Sequence, residues 1–108
     1  MREPRGLTAA TSVSHLDVEF EWDEEKAKRN ARVHGVLFDE ATTSFGDPLA
    51  RVEPDIAHAE RFNLIGMSQR LRVLFVVYAE KCHGKTTRII SARRATPHEK
   101  QDYEEGYR

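Results

Sequence analysis

The chain is predicted to fold as an α+β domain, with a mainly antiparallel sheet of four to five strands, two helices near its start and one at its end. Three observations predict this. Segments 17–22, 49–53, 61–68, 72–80 and 87–95 have the apolar alternation or β-branched enrichment of strands. Two helix signals lie between residues 23 and 48, and a third opens at Thr96. The later strands follow one another through short turns, which favours hairpins over crossovers.

Residues 1–16 have no usable periodicity and are expected to form a flexible extension ahead of a single domain over 17–108. In Asp17-Val18-Glu19-Phe20-Glu21-Trp22, the apolar side chains fall on one face, so Trp22 is expected in the core. Asp23 then suits a helix N-cap, Glu24 and Glu25 favour the positive helix end, and Gly35 suits a left-handed stop. Ala27 and Ala31 give this helix a thin stripe of small side chains. A shorter helix is expected from Phe38, capped by Asp39, closed by Gly46-Asp47-Pro48 and anchored by Phe38 and Phe45. The strands at 61–68 and 72–80 read as a hairpin through Gln69 to Leu71. In the strand at 87–95, strict alternation sets Arg88, Ile90, Ala92 and Arg94 against Ile89, Ser91, Arg93 and Ala95. Thr96-Pro97-His98-Glu99 is a capping box with proline at the first helical position, opening a helix to about Glu105.

Composition narrows the function classes. With 39% hydrophobic and 32% charged residues, the chain has the balance of a soluble globular domain. Its longest apolar run, Val73 to Ala79, is far short of the ~20 residues needed to span a bilayer. No signal peptide is expected, so the expected location is the cytoplasm. The single Cys82 excludes an internal disulfide, and no zinc-ligand spacing is present, so neither metal nor cofactor is expected. The net charge of −1 hides a division: residues 17–57 carry eleven acids against five Lys or Arg, whereas residues 58–100 carry nine Lys or Arg against three acids. A half that is basic by six charges can concentrate a polyanion.

Phe20-Glu21-Trp22-Asp23, Lys26, Asn30, His34-Gly35, Phe38 and Ala41 resemble the opening of BrnT toxins. Asp47-Pro48, Glu60-Arg61-Phe62, Ile65-Gly66 and the run Arg88 to Ala95 continue the resemblance, which spans about residues 18–106. Each piece is weak alone, and their joint order and spacing carry the match. The resemblance implies a fold like that of RelE-type ribonucleases, RNA as substrate and arrest of translation as outcome. It also implies a BrnA-like antitoxin with a ribbon-helix-helix part, a hetero-oligomer with that antitoxin, and operator DNA contacted only through it. The chain departs from the family's expected pattern at Lys81, where an Arg is expected after Glu80, and Lys lacks the planar fork that grips phosphate through two oxygens.

Metal-free RNA cleavage needs a base for the 2′-hydroxyl, cations around the phosphorane and an acid for the leaving oxygen. His58, in the loop before the Arg61 strand, is the best-placed histidine. His34 suits a helix C-terminus, and His15, His83 and His98 are expected at the surface. Arg93, Arg61 and Lys81 are the candidates for transition-state charge, with Arg70, Arg72, Arg88 and Arg94 as further RNA contacts. Each of these cations has a plainer reading as a salt-bridge partner or solvated side chain. A rival function is a catalytically inactive module acting as co-repressor with its antitoxin on operator DNA.

Overall fold

A computed structural model describes residues 10–15 and 18–106. They form β1 (Ala10–His15), β2 (Val18–Asp23), α1 (Glu24–His34), α2 (Phe38–Thr43), a 3-10 turn (Ser44–Gly46), β3 (Arg51–Pro54), β4 (Arg61–Met67), β5 (Val73–Lys81), β6 (Thr86–Arg94) and α3 (Pro97–Glu105). The sheet order is β1-β2-β6-β5-β4-β3. All neighbours are antiparallel except β2 and β6, which run parallel. The sheet is therefore mixed, and six strands replace the expected four to five.

Part of the expected N-terminal extension, residues 1–9 and 16, lies outside the described residues, as does Asp17. Ala10–His15 instead forms β1 on the outer edge of β2. That pairing uses backbone groups, which a Ser- and Thr-rich segment supplies without any hydrophobic pattern.

The expected caps of α1 are present. The Asp23 side chain accepts from the backbone N–H groups of Glu25 and Lys26, and Gly35 takes the left-handed conformation at φ 70°. The α2 cap differs from expectation: Leu37 holds the N-cap position and Asp39 lies within the first turn. At α3, the Thr96 hydroxyl and the Glu99 carboxylate complete the predicted capping box.

Helices α1 and α2 cover one sheet face and enclose Phe20, Trp22, Val36, Phe38, Ala41, Leu64, Leu74, Val76, Tyr78, Ile89 and Ala92. Edge-to-face contacts link Phe20 to Phe45 at 5.0 Å and Phe45 to Tyr78 at 4.9 Å. Such pairs contribute about 0.5–1.5 kcal/mol each beyond their buried area. At Gly66 an added Cβ would lie 3.0 Å from Ala50, Leu64 and the Ser44 carbonyl, so only glycine lets the 3-10 turn sit this close to β4.

Past Glu21 no residue of β2 pairs with β6, and α1 takes over along the β6 edge. There Asn30 acts as a strand would. Its Oδ1 accepts from the Ala92 N–H at 3.1 Å, and its Nδ2 donates to the carbonyls of Ala92 at 2.7 Å and Val36 at 3.0 Å. These bonds fix α1 against the sheet and explain a buried polar residue in an otherwise charged helix.

Helix α3 buries none of its residues. It lies against the other sheet face through polar ties. Arg51 donates to the Asp102 carbonyl at 3.1 Å, the Tyr103 hydroxyl donates to Asp47, and Arg93 grips Glu99.

Candidate active site on the uncovered half of the sheet

The face of the sheet away from α1 and α2 is divided by α3. One end, where the Ser68 to Arg72 turn joins β4 to β5, carries the α3 ties. At the opposite end, beyond the reach of α3, a row of cross-strand partners runs from Arg61 on β4 through Ala79 on β5 and Arg88 on β6 to Glu21 on β2, with Arg61, Arg88 and Glu21 half-buried. Arg61 and Arg88 flank the small side chain of Ala79, with backbones two strand spacings, roughly 10 Å, apart. The next row is Asn63, Val77 and Ser91. The result is a trough with an uncharged floor and guanidinium walls.

A register shift shapes this face. Val77 pairs with Ser91 and Tyr78 with Ile89, so Ile90 is an extra residue on β6. Strict alternation would put Arg88 and Arg93 on opposite faces. The bulge instead lets Ile89 and Ala92 both face the core and returns Arg88, Ser91 and Arg93 to the same face, away from α1 and α2.

Glu21 closes one end of the trough, its carboxylate accepting from Lys81 Nζ and Arg88 Nη1 at 2.9 Å each. Burial works to raise its pKa, but the hydrogen bonds and positive charges of Lys81 and Arg88 together outweigh it and hold the carboxyl below the usual range. Glu21 pairs with two of the candidate cations, yet the sequence reading does not place it among the site residues. The available signal was its outward place in the Glu19/Glu21/Asp23 alternation, directly before a helix.

The candidate residues separate into two groups. His58, Arg61, Lys81 and Arg88 gather at the uncovered end. His58 is exposed in the loop before β4, where its carbonyl accepts from the Arg61 N–H at 3.0 Å. Arg61 has Glu60 as its ion-pair partner at 3.8 Å, and Glu60 is largely exposed. Arg70, Arg72, Arg93 and Arg94 lie at the other end, about five residues or roughly 15 Å along the strands.

At that end Arg72 donates through Nε at 2.9 Å and through Nη2 to the buried carboxylate of Glu40, which also accepts from the Ser68 hydroxyl at 2.7 Å. Arg93 donates to both Glu99 oxygens at 2.8 and 2.9 Å and lies 4.2 Å from the centre of the Phe75 ring. Both arginines are thus occupied by structural partners. Arg70 stands 4.0 Å from Glu40, and Arg94 is exposed opposite Leu74.

Of the other histidines, His34, His83 and His98 are exposed, and the His15 side chain lies outside the described residues. Tyr78 is buried in the core, and burial pushes its hydroxyl up to about 12.

A family model described as the ribonuclease toxin BrnT of type II toxin-antitoxin systems matches residues 22–99. Among solved structures, the 1.1 Å crystal structure of the Brucella abortus ribonuclease toxin BrnT is similar to this chain. The match has 27% identity and a TM-score of 0.57, and covers 69% of this chain and 92% of that one. No curated protein sequence matches the chain.

Proposed function

This chain belongs to the BrnT family of ribonuclease toxins of type II toxin-antitoxin systems, and from that premise we propose that it is a metal-independent RNA endonuclease that stops translation by cutting RNA. The observation that carries this reading is the trough in which Arg61 and Arg88 flank Ala79 on the half of the sheet that α3 leaves uncovered.

In the proposed reaction the 2′-hydroxyl oxygen forms a bond to the adjacent phosphorus, and the bond from phosphorus to the 5′-oxygen breaks. One proton leaves the 2′-hydroxyl and one reaches the departing oxygen, giving a cyclic phosphate and a free 5′-hydroxyl. Arg61 and Arg88 stabilise the charge that accumulates on the phosphorane oxygens. His58, in the loop before β4, is assigned the proton transfers. Glu21 is a positioning residue that aims Arg88 and Lys81. Lys81 supplies a point charge where a guanidinium would supply a fork. Arg93 is assigned to fastening α3 rather than to the phosphate, and Arg70, Arg72 and Arg94 lie too far along the strands to share its binding.

The fold is read as RelE-like and the protein as cytoplasmic. A BrnA-like antitoxin with a ribbon-helix-helix part silences the toxin by covering the trough, in a hetero-oligomer that meets operator DNA only through the antitoxin. Expression of the chain alone, scored for growth and total RNA integrity, tests the reading. Arrest with RNA loss is expected. Arg61→Ala and Arg88→Ala should each relieve it while leaving the circular dichroism spectrum unchanged. Intact RNA and normal growth from soluble, folded protein would favour the inactive co-repressor, in which Glu21 merely neutralises Lys81 and Arg88.

A further inference from the structure

Where β2 stops pairing with β6, a groove opens between α1 and the β6 edge, lined by Lys26, Arg29, Val33, His34, Ile90 and Ser91. We propose that this groove is a second nucleic-acid contact, carrying single-stranded RNA from the trough over the sheet edge and onto Lys26 and Arg29. The proposal rests on the RNA-endonuclease reading and assigns the path of the substrate beyond the scissile phosphate.

Three features fit this ligand. Lys26 and Arg29 are three residues apart, so they project from the same side of α1. Both are exposed, and among the described residues neither has an ion-pair partner, whereas Lys28 beside them meets Glu25 at 3.9 Å. No acid lines the groove, so nothing in its wall competes with a phosphate. Its floor is half-buried Ile90, with Val33 beside it, giving a ribose or base an apolar surface below the cations.

The bulge joins the groove to the trough. It places Ser91 in the same row as Val77 and Asn63, so one residue borders both sites. The apolar groove on the other side of α1, lined by Trp22, Ala27, Ala31, Leu37 and Phe38, has Glu24 and Asp39 on its rim and would repel the same strand.

The test is fluorescence anisotropy with a 2′-O-methyl oligoribonucleotide, which cannot form the cyclic phosphate, across about 50 to 200 mM salt. For the long probe, Lys26→Ala with Arg29→Ala should flatten the plot of log affinity against log salt by about 1.4, from about 0.7 per lost phosphate contact on a single strand. Binding of a dinucleotide probe should not change. The double reversal Lys26→Glu with Arg29→Glu should weaken the long probe further, and because both side chains are exposed, neither variant should change the thermal midpoint.

If the slope is unchanged in these variants but falls in Arg88→Ala, the groove is not on the RNA path and the endonuclease reading stands. If the variants bind RNA normally but lose the co-expressed antitoxin, the groove is a protein interface and the proposal fails. If the unaltered chain shows no salt-dependent binding of any probe, both readings fail together.

Discussion

The two ends of the sheet carry similar numbers of cations and use them in opposite ways. At the α3 end, Arg72 meets a carboxylate whose side chain is only 4% exposed, and Arg93 is gripped by both oxygens of Glu99. At the uncovered end, Lys81 and Arg88 share one carboxylate, and Arg61 meets a largely exposed Glu60. Glu40 is far more buried than Glu21, 4% against 18% exposed, so Arg72 is the cation whose acid can least do without it. The basic second half of the chain therefore divides between cations that fasten the fold and cations proposed to bind RNA.

Removing an arginine from each end should separate the two uses most clearly. Arg72→Ala leaves the buried Glu40 with only the Ser68 hydroxyl and the more distant Arg70, and should cost about 3 kcal/mol of folding stability, seen as a lower urea midpoint. Arg88→Ala leaves Glu21 its hydrogen bond from Lys81 and should lower that midpoint less, while reducing RNA cleavage by about 100-fold, the scale of losing one donor to transition-state charge. Comparable loss of stability in both variants would erase the distinction.

Acid should expose the fastening end next. Hydrogen bonds from Arg72 hold the Glu40 carboxyl below the usual range, and those from Arg93 do the same for Glu99. A folded-state pKa below the unfolded one contributes stability that is fully present above the unfolded value, near pH 4.3, and is lost as pH falls through the folded value. Urea midpoints between about pH 6 and 3 should therefore fall steeply, and Glu40→Gln should be less stable at neutral pH with a shallower acid decline. An unchanged acid slope would remove Glu40 from that account.

The smallest effect belongs to the uncovered end. Glu21→Gln removes the anion that competes with phosphate for Lys81 and Arg88, and should tighten binding of an uncleavable RNA by a few-fold, or about 1 kcal/mol. A loss of affinity would mean that positioning by Glu21 outweighs its competition.

Most of the element order was legible because it rests on local signals. Asp23, Gly35 and the Thr96 to Glu99 box act within a few residues, and the alternation of Val18, Phe20 and Trp22 reports the core directly. The site was less legible because its decisive features are long-range. The Ile90 bulge exists only relative to β5, and it reverses which arginines share a face. The partners of Arg72 and Asn30 lie 32 and 62 positions away, so fastening and binding arginines look alike in sequence. β1 pairs through backbone groups and carries no apolar signature.

The parallel contact between β2 and β6 also bears on when the toxin becomes dangerous. Glu21 and Arg88 are 67 positions apart, and closing such a loop is slower than forming the neighbouring β4-β5-β6 hairpins. Both walls of the trough and its closing acid come together only after β6 has left the ribosome. A nascent chain still missing that strand has no Arg88 and no Ser91, so the proposed site cannot assemble until nearly the whole domain has been made.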